Sequence, residues 1–173
     1  MSSALPYKIS TLVYIRNTAG DLLLLERLKQ PNAGLWSPIG GKLNQASGES
    51  PFEAAMREAK EEVGLDLKDG DLHLFGMIAE KNYEDRCHWL MFLFDCRVPL
   101  NQLPPPMDEG RFAFVAADDL SGVKIPETDA QSLWPLYFKH RRGFAALRAD
   151  CATGKELNIV HEQVMPAVNG AAD

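Results

Sequence analysis

The chain has 173 residues, 46% of them hydrophobic and 24% charged, which is ample for one buried core and short for two. Its net charge of −6 argues against a protein that coats nucleic acid or lies on a membrane surface, since both rely on basic patches. The start MSSALPYKIS lacks the basic residues and apolar core of a signal peptide, and no run approaches the roughly 18 apolar residues of a membrane span. Cys87, Cys96 and Cys151 are widely spaced and odd in number, so they read as free thiols in a reducing compartment, and the expected location is the cytoplasm. One domain is expected over residues 1–173, with a core from about 8 to 164 and a short tail at 167–173.

In chain order, residues 8–16, KISTLVYIR, are rich in β-branched and aromatic side chains and predict a strand. Residues 17–21 form a turn, and 22–27, LLLLER, predict a second strand whose unbroken apolar run suits burial on both faces. Arg27 at its end can reach a phosphate or stand as an ordinary surface arginine. Residues 30–34 are a loop, and 35–39 lead into Gly40-Gly41, which allow the backbone to approach a ligand or metal closely. Lys42 follows as a point cation suited to phosphate, and Trp36 is core or pocket wall.

Ser50, Pro51 and Glu53 predict a helix start: an N-cap, a proline at the first helical position and the acidic member of a capping box. Gly64 supplies the stop. At about 100° per residue, Glu58, Glu61 and Glu62 stand at i, i+3 and i+4 on one face, with Phe52, Met56, Ala59 and Val63 as an apolar stripe on another. A charge run is usually just a solvated surface. Here Glu61 and Glu62 lie in the last turn, where the helix dipole disfavours each anion by roughly 0.3–1 kcal/mol. Only Arg57 and Lys60 offer local relief, so a divalent cation is the expected occupant of that face.

The stretch also resembles the signature of the Nudix hydrolases: Glu49, seven residues, Arg57-Glu58, Ala59, Glu61-Glu62, Gly64, Leu65. Two departures are visible. Seven residues separate Gly41 from Glu49 where the pattern has five, and Ala59 is smaller than the usual aliphatic residue. The resemblance implies a metal site built from Glu58, Glu61, Glu62 and the Gly41 carbonyl, occupied by Mg²⁺ or Mn²⁺, with Arg57 orienting the glutamates. It also turns Arg27 towards substrate and leaves the general base among Glu58, Glu49 and Glu109.

Beyond the helix, residues 72–80, LHLFGMIAE, and 87–97, CHWLMFLFDCR, predict two strands joined by a polar loop. His73 and His88 fall on them without partners at ligand spacing and read as structural. The prolines 104–106 are a stiff connection before the strand 111–116, RFAFVA. The resemblance implies an acidic residue before that strand in the metal or base role. Glu109 fits best, with Asp108, Glu80, Glu84 and Asp85 as rivals. Residues 128–142 predict a helix begun or broken near Pro135, and 144–151 and 156–164 a final hairpin.

Strands interleaved with two helices predict an α/β fold with a mixed sheet covered on both sides, and the resemblance implies the Nudix α/β/α sandwich. It further implies a hydrolase that splits the diphosphate linkage of a nucleoside diphosphate derivative. The residues around the signature look like the MutT type, acting on (deoxy)nucleoside triphosphates to give monophosphate and pyrophosphate. Tyr83 keeps a dinucleoside polyphosphate substrate open, ADP-sugars are a further alternative, and a nucleotide-binding module without turnover is the rival of another class. Lys42, Trp36 and Tyr83 join Arg27 as candidate substrate contacts. The expected partner is a nucleotide, with no nucleic-acid polymer and no membrane, and a homodimer stays open.

Overall fold

Burial on both faces of the central strands organises the molecule. The computed structural model describes residues 4–30 and 32–167, so the last six residues of the expected tail lie outside the described residues. Its elements are β1 (Tyr7–Tyr14), β2 (Leu22–Arg27), β3 (Trp36–Ser37), α1 (Pro51–Val63), β4 (Leu72–Tyr83) and β5 (Cys87–Cys96). They are followed by β6 (Gly110–Val115), α2 (Trp134–His140), β7 (Phe144–Asp150) and β8 (Asn158–Met165). Leu22 and Leu24 enter one apolar cluster and Leu23 and Leu25 the other, as a strand of period two requires when both faces are covered. None of the four is more than 3% exposed.

The two clusters define the layers. One gathers Tyr14, Phe75, Ile78 and Leu93 with Trp134, Leu136 and Tyr137 of the α2 region. The other gathers Val13, Ile15, Ile39, Phe94 and Phe112 with Ala55, Ala59 and Val63 of α1. The two helices thus pack against different clusters, with sheet between them, in the expected α/β sandwich. The five-stranded sheet runs β1-β5-β4-β7-β8, with β1 parallel to β5, β4 parallel to β7, and the remaining pairs antiparallel. A three-stranded antiparallel sheet runs β3-β2-β6. Isolated bridges from Ser10 to Lys42 and from Val13 to Ile39 hold the Gly40-Gly41 segment beside β1.

Helix α1 starts and stops where its sequence signals stand. The Ser50 side chain accepts from the Glu53 N–H, the Glu53 carboxylate accepts from the Ser50 N–H, and Gly64 closes the helix in the left-handed region. The apolar stripe differs from expectation. Ala54, Ala55, Ala59 and Val63 are buried, whereas Phe52 is 43% exposed and meets the fold through an edge contact with Phe94. Small side chains at Ala55 and Ala59 suit close approach to the sheet, and Phe52 lies at the rim of that contact.

Other boundaries move for identifiable reasons. Residues 36–37, expected only as an approach to the glycines, pair with β2 as a short strand. Strand β4 runs on through Lys81 because β7 continues beside it, with Lys81 opposite Asp150 and their side chains ion-paired at 3.0 Å. The expected helix 128–142 is a wide π turn at Asp129–Leu133 running directly into α2, with Pro135 at the junction, where its missing N–H interrupts the regular α-helical ladder. His73 Nε2 lies 2.7 Å from the Gly143 carbonyl and His88 Nδ1 accepts from the Asn82 N–H, so both imidazoles serve strand packing. Cys87, Cys96 and Cys151 are free thiols.

Candidate active site

Four carboxylates and one guanidinium occupy the first contact between α1 and the loop before it. Arg57 Nε and Nη2 donate to the two oxygens of Glu49 at 2.7 and 3.1 Å. Its Nη1 donates to Glu58 at 2.7 Å and to Glu61 at 3.1 Å, and Nη2 also reaches the Lys42 carbonyl. One planar donor group thereby fixes three glutamates, a task the fork geometry of arginine suits and a lysine could not perform. These hydrogen bonds, to Glu49 first, hold the Arg57 pKa above its ordinary value, and Arg57 in turn holds Glu49 below the usual carboxylate range.

The segment before Glu49, two residues longer than the pattern, folds back on itself. Asn44 caps a single 3₁₀ turn at Gln45–Ser47, Gly48 reverses the chain in the left-handed region, and the Asn44 N–H donates to Glu49 at 2.7 Å. A longer loop has become a tighter one.

Glu62 and Glu58 stand apart from Glu61 in their surroundings. The Glu61 side chain is 60% exposed, whereas that of Glu58 is 12% exposed. Burial raises the Glu58 pKa against the pull of Arg57. Burial, then the neighbouring Glu58 charge and that of Glu109, push Glu62 up to about 8, opposed by the Gly40 N–H and by Arg27. One carboxylate oxygen of Glu62, Oε2, is buried with no hydrogen-bond partner. A group of this kind is costly to bury unless a further donor or cation completes it.

The glycines matter at this contact. A Cβ on Gly41 would lie 2.1 Å from Glu58 Oε1, and one on Gly40, whose φ is +145°, would lie 2.1 Å from the Thr11 carbonyl. Only glycine lets the segment run between β1 and the helix. The Gly41 carbonyl accepts from the Thr11 N–H at 2.9 Å, which leaves it one lone pair.

Among the described residues no three His, Cys, Asp or Glu side chains form a preformed metal cage. The donors nevertheless fit a hard divalent cation, because such an ion keeps several waters and needs only one or two carboxylates from the protein. The orphaned oxygen of Glu62 and the repulsion between Glu62 and Glu58 are the two features such an ion would relieve.

The remaining candidates divide. Arg27 and Lys42 line a cavity of ≈ 240 Å³ together with Gly40, Gly41, Tyr83 and Trp89. Glu109 acts on Glu62 electrostatically, and its carbonyl accepts from the Leu28 N–H next to Arg27. Of its rivals, Asp108 is exposed, and Glu84 and Asp85 are exposed at the β4–β5 turn. Glu80 is 2% exposed and lines the cavity instead. Trp36 packs against the α2-side cluster beneath the Arg111 guanidinium, and Leu35 and Ser37 on either side of it face the cavity. Asp129, which sequence spacing did not single out, lines that cavity too; it lies 49 positions from Glu80, and only the π turn and β4 bring them together.

The family model described as NUDIX domain matches residues 6–138, and the chain belongs to that family. It is therefore a pyrophosphohydrolase by class. A mutator MutT protein from Bacillus halodurans superposes with a TM-score of 0.72 at 20% identity, over 90% of this chain and 97% of that one. A MutT protein from Methanosarcina mazei gives 0.63 at 27% identity, over 79% and 94%. The dihydroneopterin triphosphate pyrophosphohydrolase of E. coli gives 0.58 at 20% identity, over 74% and 94%. The strands β7 and β8 lie beyond the residues of the family match and extend the larger sheet past β4. Among the described residues no helix is long and apolar enough to cross a membrane.

Proposed function

We propose that the chain hydrolyses a (deoxy)nucleoside triphosphate to the monophosphate and pyrophosphate, with Mg²⁺ or Mn²⁺ as its metal. The observation that carries this reading is Glu62, with its buried, unpartnered oxygen near Glu58 and its contact with the N–H of Gly40, a residue that lines a cavity together with Arg27 and Lys42. Held by Glu58, Glu61 and Glu62, with water and phosphate oxygens completing its shell, the ion would supply charge neutralisation and a more acidic water.

The protein's own groups do the rest. Arg57 holds Glu58 and Glu61 in one orientation so that no rotamer search precedes each turnover. Arg27 and Lys42 bring positive charge to a cavity whose other charged lining groups are Lys8, Glu80 and Asp129, and a polyphosphate needs that charge. Among the candidate bases, Glu49 is disfavoured, since Arg57 and the Asn44 N–H occupy its oxygens and lower its basicity. Glu58, buried and raised, keeps the capacity to take a proton from water, and Glu109 stands near Glu62 as the other candidate. Three free thiols are in keeping with a reducing cytoplasm as the place of action.

A panel of nucleoside triphosphates, dinucleoside polyphosphates and ADP-sugars with Mg²⁺, with products identified by mass, tests the reading. Pyrophosphate and a monophosphate from a triphosphate are expected. Cleavage confined to another class of the panel would replace the substrate, and nucleotide binding without turnover on any of them would leave a binding module.

A further inference from the structure

The cavity beside the glutamates contains a pair of acidic groups that the hydrolytic chemistry does not use. Glu80 comes from the last third of β4 and Asp129 from the first position of the π turn, and both line the ≈ 240 Å³ space. Glu80 is 2% exposed and its Oε1 has no hydrogen-bond partner. An unpaired buried carboxyl of this kind is costly unless something completes it. Asp129 is near enough for its charge to act on Glu80, and the Glu80 charge in turn helps raise the Tyr83 hydroxyl and the Cys151 thiol, after burial. The rest of the wall suits a flat ring: Tyr83 and Trp89 meet edge to face, Leu35 and Met91 are apolar, and Lys8 lies over Trp89. At this volume, below the roughly 300–1,000 Å³ common for ligand pockets, the cavity accepts one ring system.

Resting on the nucleotide reading above, we propose that Glu80 and Asp129 form a paired-carboxyl clamp that selects a heterocycle with a 2-amino-4-oxopyrimidine edge, as in guanine or a pterin. Burial pushes Glu80 up to about 8 and Asp129 up to about 7, and the Asp129 charge raises Glu80 further, so the pair retains a proton near neutral pH. The pair then offers one O–H donor and several acceptor oxygens. A 2-amino-4-oxopyrimidine edge presents the complement, one carbonyl acceptor beside two adjacent N–H donors. Uracil offers two acceptors around a single donor, and adenine a single amino group beside one acceptor, so each leaves part of the clamp unsatisfied. Leaving a buried polar group unpaired is what gives such sites their discrimination.

The test compares kcat/KM for guanosine, inosine, adenosine and uridine triphosphates and a pterin triphosphate, in the wild type and in Glu80→Gln and Asp129→Asn. Inosine differs from guanosine only by the missing 2-amino group. A preference of at least tenfold for guanosine or pterin over inosine is expected, and whichever of the two ranks first identifies the source of the ring. Each variant should shrink that ratio to about threefold or less, chiefly through KM, and either variant suffices if the other fails to fold. A wild-type ratio near one, or a ratio unchanged in the variants, overturns the clamp. If no triphosphate is cleaved, the hydrolytic reading fails separately, and metal-free binding of guanosine against inosine decides the clamp: tenfold tighter guanosine supports it and equal binding overturns it.

Discussion

Arg57 grips both oxygens of Glu49, through Nε at 2.7 Å and Nη2 at 3.1 Å, while its remaining amino group holds Glu58 and Glu61. The four side chains form one network, so replacing Arg57 disturbs three glutamates at once. Arg57→Lys keeps the charge and loses the fork. Its expected effect is a fall in kcat of about thirtyfold or more, with KM changed less. Because these pairs are partly solvated, the melting temperature should move by only a few degrees. Steady-state kinetics and a thermal melt on the same preparation check both, and near-normal kcat would remove Arg57 from the orienting role.

Glu62→Gln retains the volume and the contact with the Gly40 N–H but removes the negative charge. Turnover should fall at least a hundredfold while the circular dichroism spectrum stays that of the wild type. Since burial beside Glu58 works against ionisation of Glu62, the variant should melt no lower than the wild type in the absence of divalent metal. Near-normal kcat would exclude Glu62 as a ligand.

Gly41→Ala tests the packing under the same carboxylate. The added methyl would stand 2.1 Å from Glu58 Oε1, so the glutamate or the loop must shift. A loss in kcat of at least tenfold is expected, with partial loss of the affinity for Mg²⁺ measured by titration. Gly48→Ala, at a left-handed turn with nothing within 4 Å of the new methyl, should lower stability slightly and leave kcat within about threefold.

What could be foreseen from the chain follows the range of the signals. Helix α1 was legible to the residue because its cap, its first-turn proline and its glycine stop are all local, and the spacing of Glu58, Glu61 and Glu62 is a property of any helix. The double-sided burial of Leu22–Leu25 was legible for the same reason. Phe52 was misplaced because helical periodicity says which residues share a face but not where the neighbouring sheet ends. Strand β4 outran its expected end because Lys81 answers to Asp150, a partner 69 positions away. The Glu80–Asp129 pair was invisible on the same ground. Glu80 read as the last residue of a strand and a rival of Glu109, and Asp129 as the start of a helix, and their shared cavity exists only once β4 and the π turn are set side by side. Its one foreshadowing was a lone acid at the end of an otherwise apolar strand, LHLFGMIAE.

Burial of Glu80 also fixes how stability should depend on pH. Its folded pKa, about 8, lies above the ordinary 4.5, so the protonated side chain favours the folded state. That contribution is full below about pH 4.5 and is lost progressively as the pH rises through 8, because the unfolded chain ionises Glu80 without hindrance. Asp129, raised from 3.8 to about 7 by burial, acts in the same direction over a lower window that ends near pH 7. Glu80→Gln cannot ionise, so it should escape this part of the loss. Measured in metal-free buffer between pH 5 and 8.5, the variant's melting temperature should gain on the wild type's by roughly 5 °C or more as the pH rises. The slope of the wild-type curve should flatten again above pH 8.5. A difference between the two proteins that stays constant across the window would mean that Glu80 is already ionised at pH 5, and the pair would then have no proton to share.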